Sequence, residues 1–180
     1  MDTAVLVIDM QQALCSGEEA AHDIERVTQR VNGLTRSARE ARAPVFLVQH
    51  EEDEGSLQYG TEGWQLARSL ETAPGDIRLR KRACDSFLNT ELQALLQQHG
   101  VRHLVICGLQ TDFCVDTTVR RALSLGYDVT LAADAHSTCG NGVLTAPQIV
   151  AHHNRVLGNL QNFGPRMEVK RAGDLTFSQG

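Results

Sequence analysis

The hydrophobic positions of this chain form short apolar runs that alternate with stretches of helical period. Residues 4–8 are a continuous apolar run ending at Asp9, which is the pattern of a strand covered on both faces. After a polar loop, apolar residues recur at spacings of three and four, which predicts an amphipathic helix of about twenty residues. The apolar positions of this helix are Ile24, Val27, Val31, Leu34 and Ala38.

The same alternation continues to the end of the chain. Further strands are predicted at residues 45–48, 78–82, 101–107, 127–132 and 167–170. Further helices are predicted over residues 92–99, after Cys114, and over residues 146–160. Thr90, with Gln93 three residues later, has the pattern of a capping box at the start of its helix. Alternating strands and helices are typical of βαβ units, so we predict one three-layer α/β/α domain over residues 1–180 with a mostly parallel sheet.

Composition narrows the class of protein. The 180 residues, 42% of them hydrophobic and with a formal net charge of -5, indicate a globular protein without a basic surface for nucleic acid. The chain enters its first strand without a leader segment and has no long apolar window, so we expect a cytoplasmic protein with no membrane partner. The five cysteines have neither zinc-ligand spacing nor the pattern of a disulfide framework, and we expect reduced thiols.

Cys114 lies where a buried strand gives way to a helix. In an open α/β sheet, ligands bind outside the carboxyl ends of the strands. A helix N-terminus favours a thiolate and lowers the pKa of a cysteine from its free value of about 8.5, so we predict that Cys114 is a nucleophile with a lowered pKa. The alternative, that Cys114 is one more buried thiol, stays open from its position alone.

Two further residues are predicted at the same edge of the sheet. Asp9 ends the first strand and Lys81 ends the arginine-rich strand, and right-handed crossovers bring such ends together. Hydrolysis of a carbonyl compound through a thioester needs a thiolate, a group that takes and returns its proton, and a cation that stabilises the pair. Asp9, Lys81 and Cys114 match these roles. Taken singly, Asp9 also fits a turn residue, and Lys81 fits a solvated cation.

Four segments strengthen this hypothesis by their order and spacing. They are VLVIDMQ (residues 5–11), KRACDSFLNTEL (81–92), ICGLQTDFCVDTT (106–118) and DAHST (134–138). Together they resemble the isochorismatase-like cysteine hydrolase superfamily over nearly the whole chain. The resemblance implies a parallel sheet of about six strands with helices on both faces. It also implies a homodimer or larger homo-oligomer and a catalytic triad of Asp9, Lys81 and Cys114.

The resemblance further implies a cis peptide bond between Leu109 and Gln110. That bond would turn the backbone N–H of Gln110 inward beside the N–H of Cys114. The two donors would then form an oxyanion hole for a tetrahedral intermediate.

Departures from related enzymes narrow the expected chemistry. Nicotinamidases of this superfamily have a metal site with a D-x-H arrangement and a further histidine, whereas residues 49–66 hold one histidine and no D-x-H. We therefore expect no metal and no cofactor. True isochorismatases cleave a vinyl ether and can lack the cysteine, so Cys114 favours hydrolysis of a C–N bond in a small amide, carbamoyl or ureide substrate. The alternatives are a vinyl ether hydrolase and a non-catalytic small-molecule-binding protein of the same fold.

Several residues are candidates for the lining of a substrate pocket. They are Gln11, His50, Trp64, Phe87 and Phe113. His50 and Trp64 lie in or beside a long polar loop over residues 49–76, of the kind that builds binding sites, although both also fit purely structural roles. Phe87 and Phe113 are close to Lys81 and Cys114 in the chain, and small-ligand sites are mostly apolar. For Asp134 and His136, a hydrogen bond that braces a loop is a better hypothesis than a proton relay.

Overall fold

The computed structural model describes residues 2–18 and 20–177, and within them a six-stranded parallel sheet lies between helices. The strands are β1 (Thr3–Ile8), β2 (Val45–His50), β3 (Ile77–Lys81), β4 (His103–Leu109), β5 (Asp128–Ser137) and β6 (Met167–Lys170). The α-helices are α1 (Gln12–Cys15), α2 (Ile24–Glu40), α3 (Leu92–Gln98), α4 (Asp116–Ser124) and α5 (Ala146–Leu157). A π-helical turn, Thr111–Val115, precedes α4, and a 3-10 turn, Ala172–Asp174, follows β6.

The strand order across the sheet is β3-β2-β1-β4-β5-β6, and all neighbouring pairs are parallel. The chain builds one half of the sheet outward from β1 through β2 to β3. It then crosses back to β4 and builds the other half. The order therefore reverses between β1 and β4, which is the position where open α/β sheets form a ligand crevice. The predicted fold class is confirmed.

The apolar run of β1 is continuous because both of its faces are covered. Ala4, Leu6 and Ile8 pack in one cluster with residues of α3, α4 and α5. Val5 and Val7 pack in a second cluster on the other face with the apolar side of α2. Alternate residues of a strand point to opposite faces, so each face of β1 contributes to a separate core. Among the described helices, none is long and apolar enough to cross a membrane.

The capping box predicted at Thr90 does not form. Helix α3 begins at Leu92 after Glu91, without a side-chain cap. The hydroxyl of Thr90 donates to the carbonyl of Ser86 at 2.7 Å and accepts the N–H of Leu92 at 3.3 Å, so it links the preceding turn to the first residue of the helix. A capping box does form at the start of α5, between Thr145 and Gln148.

Strand β5 is longer than its apolar run predicts. The run predicts a strand over residues 127–132, whereas β5 extends to Ser137 after an irregularity in its pairing with β4. Asp134 and His136 therefore lie inside a strand. Asp134 finds polar partners there, because its carboxylate lies 3.5 Å from Arg30 and accepts the N–H of Ala172 at 2.8 Å.

A glycine sets the distance between the two central strands at their carboxyl ends. Gly108 pairs with Ile8 in the sheet and has a φ of 111°, a conformation that L side chains rarely adopt. A Cβ at Gly108 would overlap the backbone of Ile8. This close approach places Asp9, the residue after Ile8, beside the turn that follows β4.

Candidate active site

Three side chains from different strand ends meet at the carboxyl edge of the sheet. Asp9 follows β1, Lys81 ends β3, and Cys114 lies in the π-helical turn after β4. The Lys81 Nζ lies 2.8 Å from Asp9 Oδ2 and 3.1 Å from Cys114 Sγ. The structure therefore brings the three residues of the predicted triad into direct contact.

The backbone of Asp9 turns sharply as β1 ends. Its φ is 51°, in the left-handed region that a residue other than glycine adopts infrequently. Its N–H donates to the carbonyl of Val48 at 2.9 Å, and its own carbonyl accepts the N–H of Gln11 at 2.8 Å. Such conformations cluster at functional sites, where the surrounding structure maintains them.

The Lys81 ammonium has an acceptor for each of its three protons. Besides Asp9 and Cys114, its Nζ lies 3.3 Å from His50 Nδ1. Lys81 is only 2% exposed and Asp9 only 1%, so this ion pair is excluded from water. Burial lowers the pKa of Lys81, but its interactions with Asp9 and Cys114 outweigh this effect and leave the pKa above its ordinary value. Lys81 is therefore a permanent cation.

The thiol of Cys114 has a raised pKa, so the predicted lowering is wrong. Burial raises the pKa, since the residue is 8% exposed, and the Asp9 carboxylate raises it further, whereas Lys81 opposes both effects. The sequence argument placed Cys114 at the N-terminus of a helix, but it lies within a π-helical turn before α4 and against a carboxylate. The resting site therefore holds a neutral thiol beside an ionised acid.

One oxygen of Asp9 is available to accept a proton. The Oδ2 atom of Asp9 contacts Lys81, whereas Oδ1 is buried and has no hydrogen-bond partner within the described part of the chain. A buried carboxylate oxygen without a donor has a free lone pair that a proton or a hydrogen-bond donor can reach. The arrangement can thus move a proton from a thiol, or from water, to Asp9.

The turn that carries Cys114 begins at an unusual peptide bond. The bond between Leu109 and Gln110 is cis, at the position that the resemblance implies. The carbonyl of Gln110 accepts the N–H groups of Phe113 and Val115, both at 3.1 Å. These two bonds close the backbone around Cys114.

Two of the predicted pocket residues brace the site. Gln11 is buried, donates through Nε2 to the carbonyls of His50 at 2.8 Å and Trp64 at 2.9 Å, and accepts the N–H of His50 at 2.8 Å. Both N–H groups and the oxygen of its amide are bonded to the backbone of other segments. Gln11 therefore has a structural role in place of the predicted position in a pocket lining. The Trp64 carbonyl also accepts a bond from Gln49 at 2.9 Å, and its ring meets Tyr59 edge-on at 4.7 Å.

The two predicted phenylalanines have opposite environments. Phe87 is buried in the core and stacks on Tyr127 with ring centroids 5.9 Å apart, so the structure places it in the core and not on an open pocket wall. Phe113 precedes Cys114 and is 53% exposed. Of the two, Phe113 is therefore the one that a ligand can reach.

The loop-bracing hydrogen bond expected of His136 is present, but sequence reasoning missed its partner Thr111 and the neighbouring contact of Asp112 in the turn that carries Cys114. Thr111 is buried and contacts His136, and Asp112 accepts a hydrogen bond of 2.6 Å from Thr138. The run TD before the cysteine and the run HST at the end of β5 were visible as motifs, but only the tertiary contacts show that they face each other. No cluster of three or more possible metal ligands occurs among residues 2–18 and 20–177.

Comparison with known proteins agrees with this site and fold. The sequence model of the isochorismatase domain matches residues 3–164. The streptothricin hydrolase of Streptomyces noursei is 41% identical over 136 residues, which cover 75% of this chain and 49% of the hydrolase. The chain thus spans about half the length of that relative.

A second relative and a solved structure extend the comparison. The ureidoacrylate amidohydrolase RutB of Caulobacter vibrioides is 32% identical over 175 residues, covering 77% of this chain and 78% of RutB. A crystal structure of an isochorismatase family protein superposes with a TM-score of 0.85 at 37% identity, over 93% of this chain and 97% of the other. Motifs, sheet order and sequence similarity agree, and this chain belongs to the isochorismatase family.

Proposed function

We propose that this protein is a cysteine hydrolase that cleaves a C–N bond in a small amide, carbamoyl or ureide compound through a thioester on Cys114. The observation that carries the proposal is the buried contact of Lys81 with both Asp9 and Cys114, at 2.8 and 3.1 Å. Two relatives, a streptothricin hydrolase and a ureidoacrylate amidohydrolase, support hydrolysis of this kind.

In the first half of the reaction the thiol becomes a nucleophile only when substrate is present. The Cys114 proton moves to Asp9 Oδ1 as Sγ attacks the carbonyl carbon, and Lys81 stays protonated and stabilises the negative charge. The backbone N–H groups of Gln110 and Cys114 are the proposed donors to the oxyanion. Asp9 then gives its proton to the leaving nitrogen, the C–N bond breaks, and a thioester remains.

In the second half, water replaces the departed amine. Asp9 takes a proton from the water molecule as the water oxygen attacks the thioester carbon. The C–S bond then breaks, the carboxylic acid product leaves, and the proton on Asp9 returns to Cys114. Each group ends in its starting state, so one acid-base residue serves both steps.

Three residues are proposed to contact the substrate. His50 is neutral near pH 7, because burial and the nearby Lys81 charge lower its pKa. Its Nδ1 faces Lys81, which leaves the proton on Nε2, 3.8 Å from Glu52 and available to a ligand. Phe113 and Trp64 are the proposed apolar contacts. The homo-oligomer, the cytoplasmic location and the absence of a cofactor stay predictions.

The test is ammonia or amine release from a panel of small amides, carbamoyl compounds and ureides. We expect Cys114→Ala to lower kcat by about 10³-fold or more, and Cys84→Ala, which alters an exposed thiol, to leave it unchanged. A covalent adduct of acyl mass on Cys114, detected by mass spectrometry after rapid quenching, should accompany turnover. Release that survives Cys114→Ala would overturn the proposal, and cleavage of vinyl ethers without C–N hydrolysis would favour the alternative chemistry.

A further inference from the structure

A buried chain of polar side chains connects α5 to the nucleophile turn. Asn154 of α5 lies 3.0 Å from His136 Nε2 through its Oδ1 atom, and His136 Nδ1 lies 2.8 Å from the Thr111 hydroxyl. Thr111 and His136 are 0% and 2% exposed. Thr111 is the first residue of the turn that carries Cys114.

The hydrogen-bond partners determine where each proton lies. The Asn154 Nδ2 atom donates to the carbonyl of Ala133 at 2.9 Å, so its Oδ1 faces His136 as an acceptor. His136 therefore carries its proton on Nε2, and its Nδ1 accepts the hydroxyl proton of Thr111. The chain has one direction only, from Thr111 through His136 to Asn154.

The ring of His136 stays neutral at physiological pH. Burial lowers the pKa of His136 to about 4, and the nearby charged or titratable groups are His153, which lowers it, and Asp134, which raises it. A protonated ring would present Nδ1–H to Thr111 and could no longer accept its hydrogen bond. Neutrality is thus the condition under which the Thr111 hydroxyl donates to His136.

We propose that His136 is a positioning residue that, through Thr111, holds the turn of Cys114 at the distance from Asp9 and Lys81 that activates the thiol. No atom of His136 contacts Cys114, Asp9 or Lys81 in the polar contacts of the described chain, so its effect passes through the turn. This inference rests on the proposed nucleophilic role of Cys114. It does not depend on the identity of the substrate.

The test measures the reactivity of Cys114 directly. Each protein is treated with iodoacetamide between pH 6 and 9, and alkylation of Cys114 is followed by peptide mass spectrometry, with the exposed Cys84 as an internal reference. Thr111→Val removes the hydroxyl at nearly constant shape, Thr111→Ser retains it, and His136→Asn retains an acceptor near Nδ1 that His136→Leu lacks. Thermal unfolding and circular dichroism establish that each variant is folded.

We expect Thr111→Val and His136→Leu each to lower the rate of Cys114 alkylation by about tenfold, because a displaced turn weakens the contact of the thiol with Lys81, while Cys84 reacts as before. Thr111→Ser and His136→Asn should recover most of the wild-type profile. The double variant His136→Leu/Thr111→Val should be no worse than Thr111→Val alone, because one residue acts through the other.

Three results would overturn the inference. They are an unchanged Cys114 profile in Thr111→Val, equal damage from Thr111→Ser and Thr111→Val, and additive effects in the double variant. If a variant does not fold, the serine and asparagine variants still decide, because an altered Cys114 profile in both contradicts the chain described above. Wild-type protein with an activated Cys114 but no hydrolysis of the panel would contradict the proposed function and leave this inference standing.

Discussion

Gly108 of β4 and Ile8 of β1 are in such close contact that a single methyl group between them would overlap the carbonyl oxygen of Ile8. The contact lies one residue before Asp9 and a few residues before Cys114. It therefore links the packing of the two central strands to the spacing of the proposed catalytic groups.

Gly108→Ala is expected to destabilise the fold by more than the strain of an alanine at a positive φ alone explains. Gly126 is the matched control, because it has a φ of 94° and open space around the position of a Cβ. We expect Gly126→Ala to cost about 1–2 kcal/mol and Gly108→Ala clearly more. Urea unfolding of both variants gives the comparison, and equal costs would show that the close approach is unimportant.

Removal of the Lys81 charge is expected to damage both stability and chemistry. Lys81→Met leaves the Asp9 carboxylate buried without its partner, which costs about 3–5 kcal/mol. Lys170→Met, at the partly exposed end of β6, should change stability by about 0.5 kcal/mol or less. Chemical unfolding and ammonia release check both expectations, and a Lys81→Met protein of wild-type stability would contradict the buried ion pair.

Asp9→Asn is expected to separate the reactivity of the thiol from catalysis. The negative charge of Asp9 raises the pKa of Cys114, so its removal should lower that pKa and increase alkylation near neutral pH. Hydrolysis should nevertheless be lost, because no group then takes and returns the proton. A Cys114 that becomes less reactive in Asp9→Asn would contradict this electrostatic assignment.

The free energy of unfolding is expected to decrease as the pH falls from neutral to mildly acidic, because of His136. Its pKa is about 4 in the folded protein against 6.5 for an ordinary histidine, so between these values the unfolded chain binds a proton that the folded one does not. The contribution is present above pH 6.5 and is lost as the pH falls towards 4. It amounts to about 2 kcal/mol between pH 7 and 5.

Urea unfolding at pH 7 and pH 5 measures this loss. The His136→Asn variant should show a smaller difference between the two pH values than the wild type. His152→Asn alters an exposed ring on α5 and should keep the wild-type difference. An unchanged difference in His136→Asn would assign the acid sensitivity to other groups.

The short-range features of the chain could be predicted because they depend on residues close in sequence. The apolar run at residues 4–8 and the periodic apolar positions of α2 identify their elements, since a strand or helix buries the side chains that its own period presents. The segment Met167–Lys170 was predicted with the bounds that the structure has. The parallel sheet and the meeting of strand ends at one edge were predicted from the handedness of βαβ units and the family resemblance, whereas the order of the strands was not predicted.

Properties that depend on remote neighbours could not be predicted in this way. The capping box expected at Thr90 does not form, and its hydroxyl instead donates to the carbonyl of Ser86 and accepts the N–H of Leu92. Gln11 was a pocket candidate by position, but two carbonyls and an N–H from other segments occupy its amide. Local sequence does not show which remote group will become the hydrogen-bond partner of a polar side chain.

The sequence by itself determined the fold class, the family and the identity of Asp9, Lys81 and Cys114 as candidates. Motif spacing and apolar periodicity depend only on the order of the residues, so they can be identified without the structure. Only the tertiary structure decided that the Cys114 pKa is raised, since burial and the Asp9 charge act through space. It also decided that Thr111, His136 and Asn154 form one chain of hydrogen bonds, because their contacts join a turn, a strand and a helix that are far apart in sequence.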